Sequence, residues 1–150
     1  QEKRIHCTKS KNWIPVVYSW DLLKADKVLR MGKTIMGASS KIYGNVENST
    51  IGNGCIIKGN VKNSLIMDKT IIEENSIVEN SVIGENVNFG GKIIAKNDVY
   101  SIIKNKRVKV DRLGAIIGYN VKAKNVIINA GCKIWPNKKV LNRTIDEDIK

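Results

Sequence analysis

Seven cations fall between Gly91 and Leu113: Lys92, Lys96, Lys104, Lys106, Arg107, Lys109 and Arg112. Only Asp98 and Asp111 oppose them, leaving the segment with a net charge of +5. Such a stretch suits an anionic partner such as a phosphate ester, a nucleotide or a nucleic acid. The plain alternative is a solvated basic loop. Asp98 and Tyr100, inside the segment, can accept a proton directly or through a water. Lys122, Lys124, Lys133, Lys138 and Lys139 add point charges further on, a form of cation that binds phosphate without strict geometry. The only histidine, His6, lies near the start, far in sequence from these groups. Cys7, Cys55 and Cys132 are odd in number and form no CxxC pair. That argues against a disulfide framework or a zinc knuckle and fits a reducing, cytoplasmic setting. No metal site is expected, and no apolar run is long enough to span a membrane.

The elements that must hold these groups come from composition and period. The chain has 150 residues, 26 Lys and Arg against 14 Asp and Glu, and a formal net charge of +12. The charge is uneven: residues 1–46 carry +6, residues 47–88 carry −3 and residues 89–150 carry +9. With 42% hydrophobic residues the chain is not wholly disordered. Aromatics are 5%, with a single Phe, against 23 Ile. A bulky aromatic core is therefore not expected, and β-branched residues favour strands. One helix is expected, with Ser19 as N-cap, Asp21 in its first turn and Gly32 as its end.

From Gly32 onward the period changes. Ile42-Tyr-Gly-Asn-Val-Glu-Asn-Ser-Thr-Ile51 is echoed by Ile57-Lys-Gly-Asn-Val-Lys-Asn-Ser-Leu-Ile66 and again by Glu79-Asn-Ser-Val-Ile83. A six-residue beat runs through Ile66, Ile72, Val78, Ile83 and Phe89, and resumes at Ile117, Ala123, Ile128, Ile134 and Val140. One inward aliphatic per hexad, three hexads to a turn, describes a parallel β-helix with a narrow prismatic core. Gly and Asn are expected at its corners. The beat is missing from 91 to 113, where Val99–Ile103 and Arg107–Val110 could pair as a hairpin outside the prism. A long excursion from a solenoid usually marks a functional face.

Two stretches resemble a known family. Trp13-Ile-Pro-Val-Val-Tyr-Ser-Trp-Asp-Leu-Leu-Lys-Ala-Asp26 is similar to the segment that leaves the nucleotidylyltransferase domain of archaeal-type sugar-1-phosphate enzymes. Asn88-Phe-Gly-Gly-Lys-Ile-Ile-Ala-Lys-Asn97 with Arg112-Leu-Gly-Ala-Ile-Ile-Gly-Tyr-Asn-Val121 resembles the signature of their acetyltransferase half. The resemblance implies an all-β, left-handed parallel β-helix (hexapeptide repeats) with a short N-terminal linker helix. Residues 1–31 would be the linker and helix following a missing nucleotidylyltransferase domain. Residues 32–150 would be the β-helix, with its excursion at 91–113.

By the same resemblance the activity would be acetyl-CoA-dependent N-acetylation of an amino-sugar-1-phosphate, in a homotrimer. Asn97, Asp98 and Tyr100 would be catalytic. Asn88, Lys92, Lys109 and Arg112 would hold the sugar phosphate. The backbone at Gly114, Ala115, Gly118 and Ala130, with Lys133, would hold the acetyl-CoA. The Gly-rich nucleotide-binding loop of the other half is absent, so nucleotidylyl transfer is not expected of this chain. Three departures from the pattern motivate an alternative, a non-catalytic β-helix that oligomerises or regulates a nucleotidylyltransferase. The stretch Ala95–Tyr100 has no His, Asp111 stands where a cation is usual, and Trp135-Pro136 resembles the end-cap of non-acetylating relatives. Nucleic acid is not expected, because only Tyr100 offers an aromatic face in the basic segment.

Overall fold

The computed structural model describes residues 13–150; His6 and Cys7 lie outside them. Helix α1 (Asp21–Leu29) is followed by six stacked coils of short strands. The first coil holds β1 (Ile35–Met36), β2 (Lys41–Ile42) and β3 (Asn45–Glu47). The second holds β4 (Thr50–Ile51), β5 (Ile56–Ile57) and β6 (Asn60–Lys62), and the third β7 (Leu65–Ile66), β8 (Ile71–Ile72) and β9 (Ile77–Glu79). In the fourth, β10 (Val82–Ile83) leads to β11 (Asn88–Ile93), which turns across two faces. The chain then leaves as a hairpin, β12 (Lys96–Ile103) and β13 (Lys106–Leu113). It resumes with β14 (Ile116–Ile117) and β15 (Lys122–Ile128), then β16 (Lys133–Ile134) and β17 (Lys139–Ile145). Every intercoil pairing is parallel, and the result is a left-handed β-helix.

The register Ile35, Thr50, Leu65, Val82, Ile116, Lys133 runs down one face. From the second coil onward the next residue in each strand points inward: Ile51, Ile66, Ile83, Ile117 and Ile134 are all buried. The other two faces bury Ile57, Ile72, Phe89, Ala123 and Val140, and Val61, Val78, Ile93, Ile128 and Ile145. The six-residue beat is thus the inward residue of each face. Asn48, Asn63 and Asn80 take the left-handed backbone at one corner, with φ of 45° to 49°, which Asn tolerates better than most residues. The Ser after each is buried and stitches coil to coil. The Ser49 Oγ accepts the Ser64 N–H at 3.0 Å, Ser64 Oγ accepts that of Ser81, and Ser81 Oγ accepts that of Ala115. Each hydroxyl donates its proton to a carbonyl two residues back, so no polar atom is stranded.

Several expectations need correction. Trp20, not Ser19, occupies the N-cap position of α1, and no side chain caps it. Asp21 fixes the preceding turn instead, its Oδ2 accepting the Val17 and Tyr18 N–H groups. Met31 turns left-handed one residue before Gly32. The one ring on the beat is inward as expected: Phe89 is fully buried, with Ala123 beneath it leaving the room. The excursion is narrower than 91–113, because Gly91, Lys92 and Ile93 stay in the coil opposite Val126, Ile127 and Ile128. A Cβ on Gly91 would come within 2.1 Å of the Val126 carbonyl oxygen, so only Gly allows that approach. Trp135 does not cover the end of the prism. It stands outside at a corner, 52% exposed, while Ile149 pairs over Ile134.

The outer side of the first face is not left bare. Trp20 stacks on Tyr18 at 4.7 Å and packs with Leu23, Ile116 and the inner side of the hairpin, Val99, Val110 and Leu113. Helix α1 therefore runs along this face, tied by the Thr50 hydroxyl donating to Asp26 at 2.5 Å, while Asp26 also pairs at 2.9 Å with the buried Arg30 at the helix's own C-terminal end. Among the described residues no helix is long and apolar enough to cross a membrane.

Burial also sets the chemistry of Cys132. It raises the thiol to about 11, with Asp148 and Asp146 adding to the shift. The folded state favours the protonated thiol. This contribution to stability is complete below the ordinary value of 9.0 and is lost as pH rises through about 11. Iodoacetamide at pH 9 is expected to leave Cys132 unmodified in the native chain and to alkylate it in denaturant, read by peptide mass spectrometry. Equal labelling in both states would contradict this burial.

Candidate active site

The hairpin root is organised by Arg112. Its Nε donates to Asn80 Oδ1 at 2.9 Å, one Nη donates to Asn97 Oδ1 at 2.9 Å, and the other lies 3.5 Å from Glu79 Oε2. The rigid guanidinium fork meets three side chains at once, which an ammonium could not do. Asn80 is the left-handed corner residue of the Asn-Ser repeat, and Asn97 is the register partner of Arg112 across the hairpin. The clamp thus joins the prism to the excursion. Next to it, Asp98 takes a φ of 51° and reaches Lys109 Nζ at 2.7 Å. The hydrogen bond to Asp98, and then its charge, raise the Lys109 pKa above the ordinary lysine value.

A cleft of about 580 Å³ opens between α1 and β13, within the range of small-ligand sites. Its walls carry Lys24, Lys27, Arg30, Lys109 and Arg112 against Asp21 and Asp111, with Trp20, Leu23, Asn63 and Asn80 between. Arg30, Lys109 and Arg112 are each paired with a carboxylate, Asp26, Asp98 and Glu79, so an anion entering here meets Lys24 and Lys27 or takes the place of those partners. Lys109 and Arg112 are brought together here with Asn97, and Asp98 is in reach through Lys109. Lys92 is elsewhere. It lines a groove at another corner with Glu73, Gly90, Gly91 and Lys124. Asn88 pairs with Ile71 and Lys122 on that second face.

The residues named for the cofactor are also divided. The Gly114 N–H donates to the Asn80 carbonyl, the Ala115 N–H to Ser81 Oγ and the Gly118 N–H to the Ile134 carbonyl. Ala115 is fully buried. A Cβ on Gly114 would come within 2.1 Å of the Glu79 carbonyl oxygen, so its small size serves the packing of the coil. Ala130 differs. Among the described residues its N–H makes no backbone hydrogen bond. Ala130 lines a groove of about 270 Å³ with Tyr100, Ile102, Asp146 and Glu147. The Tyr100 ring there carries the Arg107 guanidinium 4.5 Å above it. Lys133 is held at 2.8 Å by Asp148 and donates to Ser101 Oγ at 2.7 Å, anchoring the hairpin to the last coil.

The sequence reading missed Lys24 and Lys27, whose spacing of three on a helix places them on one face. It also missed Asn80 and Glu79. Both lie in a repeat whose first copy, Glu47-Asn48, lines no part of this cleft, so their role depends on where the hairpin returns.

Residues 26–150 match the GMPPB C-terminal domain family. The chain belongs to that family. It is also similar to proteins named bifunctional protein GlmU. One, from Methanococcus maripaludis strain C5, is 42% identical over 114 residues, covering 70% of this chain and 27% of that protein. Another, from strain C7, is 38% identical over 188 aligned positions, covering 92% of this chain and 46% of that protein. A glucose-1-phosphate adenylyltransferase from Fervidobacterium nodosum is 40% identical over 91 residues, covering 61% of this chain and 17% of that protein. The family member described here thus spans less than half the length of the curated relatives it matches.

Proposed function

We propose that this β-helix is part of a sugar-nucleotide biosynthesis enzyme and transfers an acetyl group from acetyl-CoA to the amine of an amino-sugar-1-phosphate. The observation that carries the reading is the cationic cleft at the hairpin root, in a chain similar to bifunctional GlmU proteins. Arg112 and Lys109 hold the 1-phosphate. As Lys109 turns to the phosphate, the Asp98 carboxylate is released to take a proton from the substrate amine. The amine nitrogen forms the new bond to the thioester carbonyl carbon, the C–S bond breaks, and the sulfur takes the proton held by Asp98, so that CoA leaves as the thiol. A homotrimer closes the grooves between neighbouring prisms, in a cytoplasmic protein whose other half transfers the nucleotidyl group.

A second reading, a β-helix that only oligomerises or regulates the other half, is favoured by specific observations. The N–H groups of Gly114, Ala115 and Gly118 are already bonded within the ladder, Asp98 is held by Lys109, and the described residues contain no histidine. A thiol-release assay separates the two. Acetyl-CoA with glucosamine-1-phosphate or galactosamine-1-phosphate is expected to yield free CoA with the chain and not without it. No release with either sugar, from folded and associated chain, would leave the second reading.

A further inference from the structure

The two ends of the prism are unlike. At the C-terminal end the inward residues Ile134, Val140 and Ile145 are buried, and Ile149 pairs over Ile134. At the N-terminal end the equivalent three are Met36, Ile42 and Val46. Met36 is 58% exposed, and Ile42 and Val46 are only partly buried. Among the described residues no strand pairs with the outer edges of β1, β2 and β3.

The hydrogen bonds explain what this edge offers. Ile35, Gly37, Lys41, Tyr43 and Asn45 donate their N–H groups to the second coil, and the Glu47 carbonyl accepts from Asn63. Backbone groups alternate in direction along a strand. The N–H and C=O groups of Met36, Ile42 and Val46 therefore point out of the open end. The same three residues carry the uncovered apolar side chains.

We propose that a second copy of this chain docks on the open end, with the two prisms coaxial and related by a two-fold axis. An axis through the corner at Gly44 exchanges the face of β2 with the face of β3 and reverses strand direction. β2 then lies antiparallel to the partner's β3. Ile42 falls opposite the partner's Val46, so that residues with outward backbone groups exchange both N–H···O bonds. Lys41 falls opposite the partner's Glu47, both exposed in the single chain, and the two charges are of opposite sign. The two Met36 residues meet near the axis on the remaining face. Self-complementarity is what an isologous interface requires, and here apolar pattern, hydrogen-bond pattern and charge agree on one register. This inference is independent of any acetyl transfer.

Sedimentation velocity with charge-swapped variants tests it. The wild-type chain is expected to sediment at twice the mass of K41E, whatever lateral assembly the prisms also make. Glu47 also pairs with Lys62 of its own chain at 3.0 Å, so E47K is melted alongside K41E; it is expected to match K41E in mass, and the double variant K41E/E47K to regain the wild-type mass, because both intermolecular pairs are restored with their signs exchanged. Lys41 makes no ion pair within the chain, so K41E removes no intrachain salt bridge, and a circular-dichroism melt checks its fold. Equal masses for wild type and K41E would overturn the proposal and assign the open end to residues 1–12 or to another domain. Failure of the double variant to reassociate would overturn the register.

Discussion

Replacing Phe89 by alanine is expected to lower the free energy of unfolding by about 3–5 kcal/mol. The ring is the largest fully buried side chain in the prism. It sits in a column between Ile72 in the coil above and Ala123 in the coil below. Neither neighbour can move in to fill the space, because each is fixed by parallel strands on both sides. The cavity would remain, and the cost is set by lost burial plus that void. For a domain stable by roughly 5–15 kcal/mol, this is a large share. Urea unfolding of F89A, with F89L as the milder partner, measures it. A change below about 1 kcal/mol would mean that the coil collapses around the gap, contrary to the rigid stacking described.

The second large effect concerns Arg112. On the proposed reaction, R112A is expected to lower kcat/KM for the amino-sugar phosphate roughly 100-fold, the scale of a small misplacement of reacting groups. The loss has two parts. A cation leaves the cleft, and Asn80 and Asn97 lose the fork that fixes the hairpin root. R112K restores the charge and not the fork, so it is expected to recover binding more than turnover. Stability should change little, because the guanidinium is solvent-facing and surface pairs contribute about 0–1 kcal/mol. The comparison is made by thiol release over a range of sugar-phosphate concentrations. Wild-type kinetics in R112A would remove this residue from the site.

The repeat was readable because a prism face forces one inward side chain per hexad. Ile66, Ile72 and Val78 could be assigned to the core from spacing alone, and all are buried. Corner residues were readable for a similar reason, since few residue types tolerate φ near 50°. The same spacing put Phe89 inward, but why a ring fits there was not readable, because that depends on the small residue 34 positions later that lies beneath it. Ser19 looked like a cap because its type suits one, yet Asp21 could bond two N–H groups in the preceding turn. The site was the least legible part. Lys109 and Arg112 could be named from their place beside the Leu113-Gly114 stretch that resembles the family signature, but the cleft exists only where α1 packs along the same face as the hairpin. Lys133 drew attention as a phosphate ligand, and its ammonium is instead enclosed by Ser101 and Asp148, the first 32 residues away in sequence.

The 34-residue step from Val82 to Ile116 also bears on how the chain reaches this shape. In a stacked prism each coil meets only its neighbours, so order spreads one coil at a time from wherever it starts. Elsewhere the next stretch of chain is already at hand. After Ile93 it is not, and closing a flexible loop of about 20 residues before Ala115 meets Ser81 carries an entropy cost of roughly 3 kcal/mol. The antiparallel strands offset this. Pairing of Lys96 with Leu113 draws the two ends of the gap together before either coil has docked. The segment that interrupts the repeat thereby acts as a splint, passing growth from the fourth coil to the fifth.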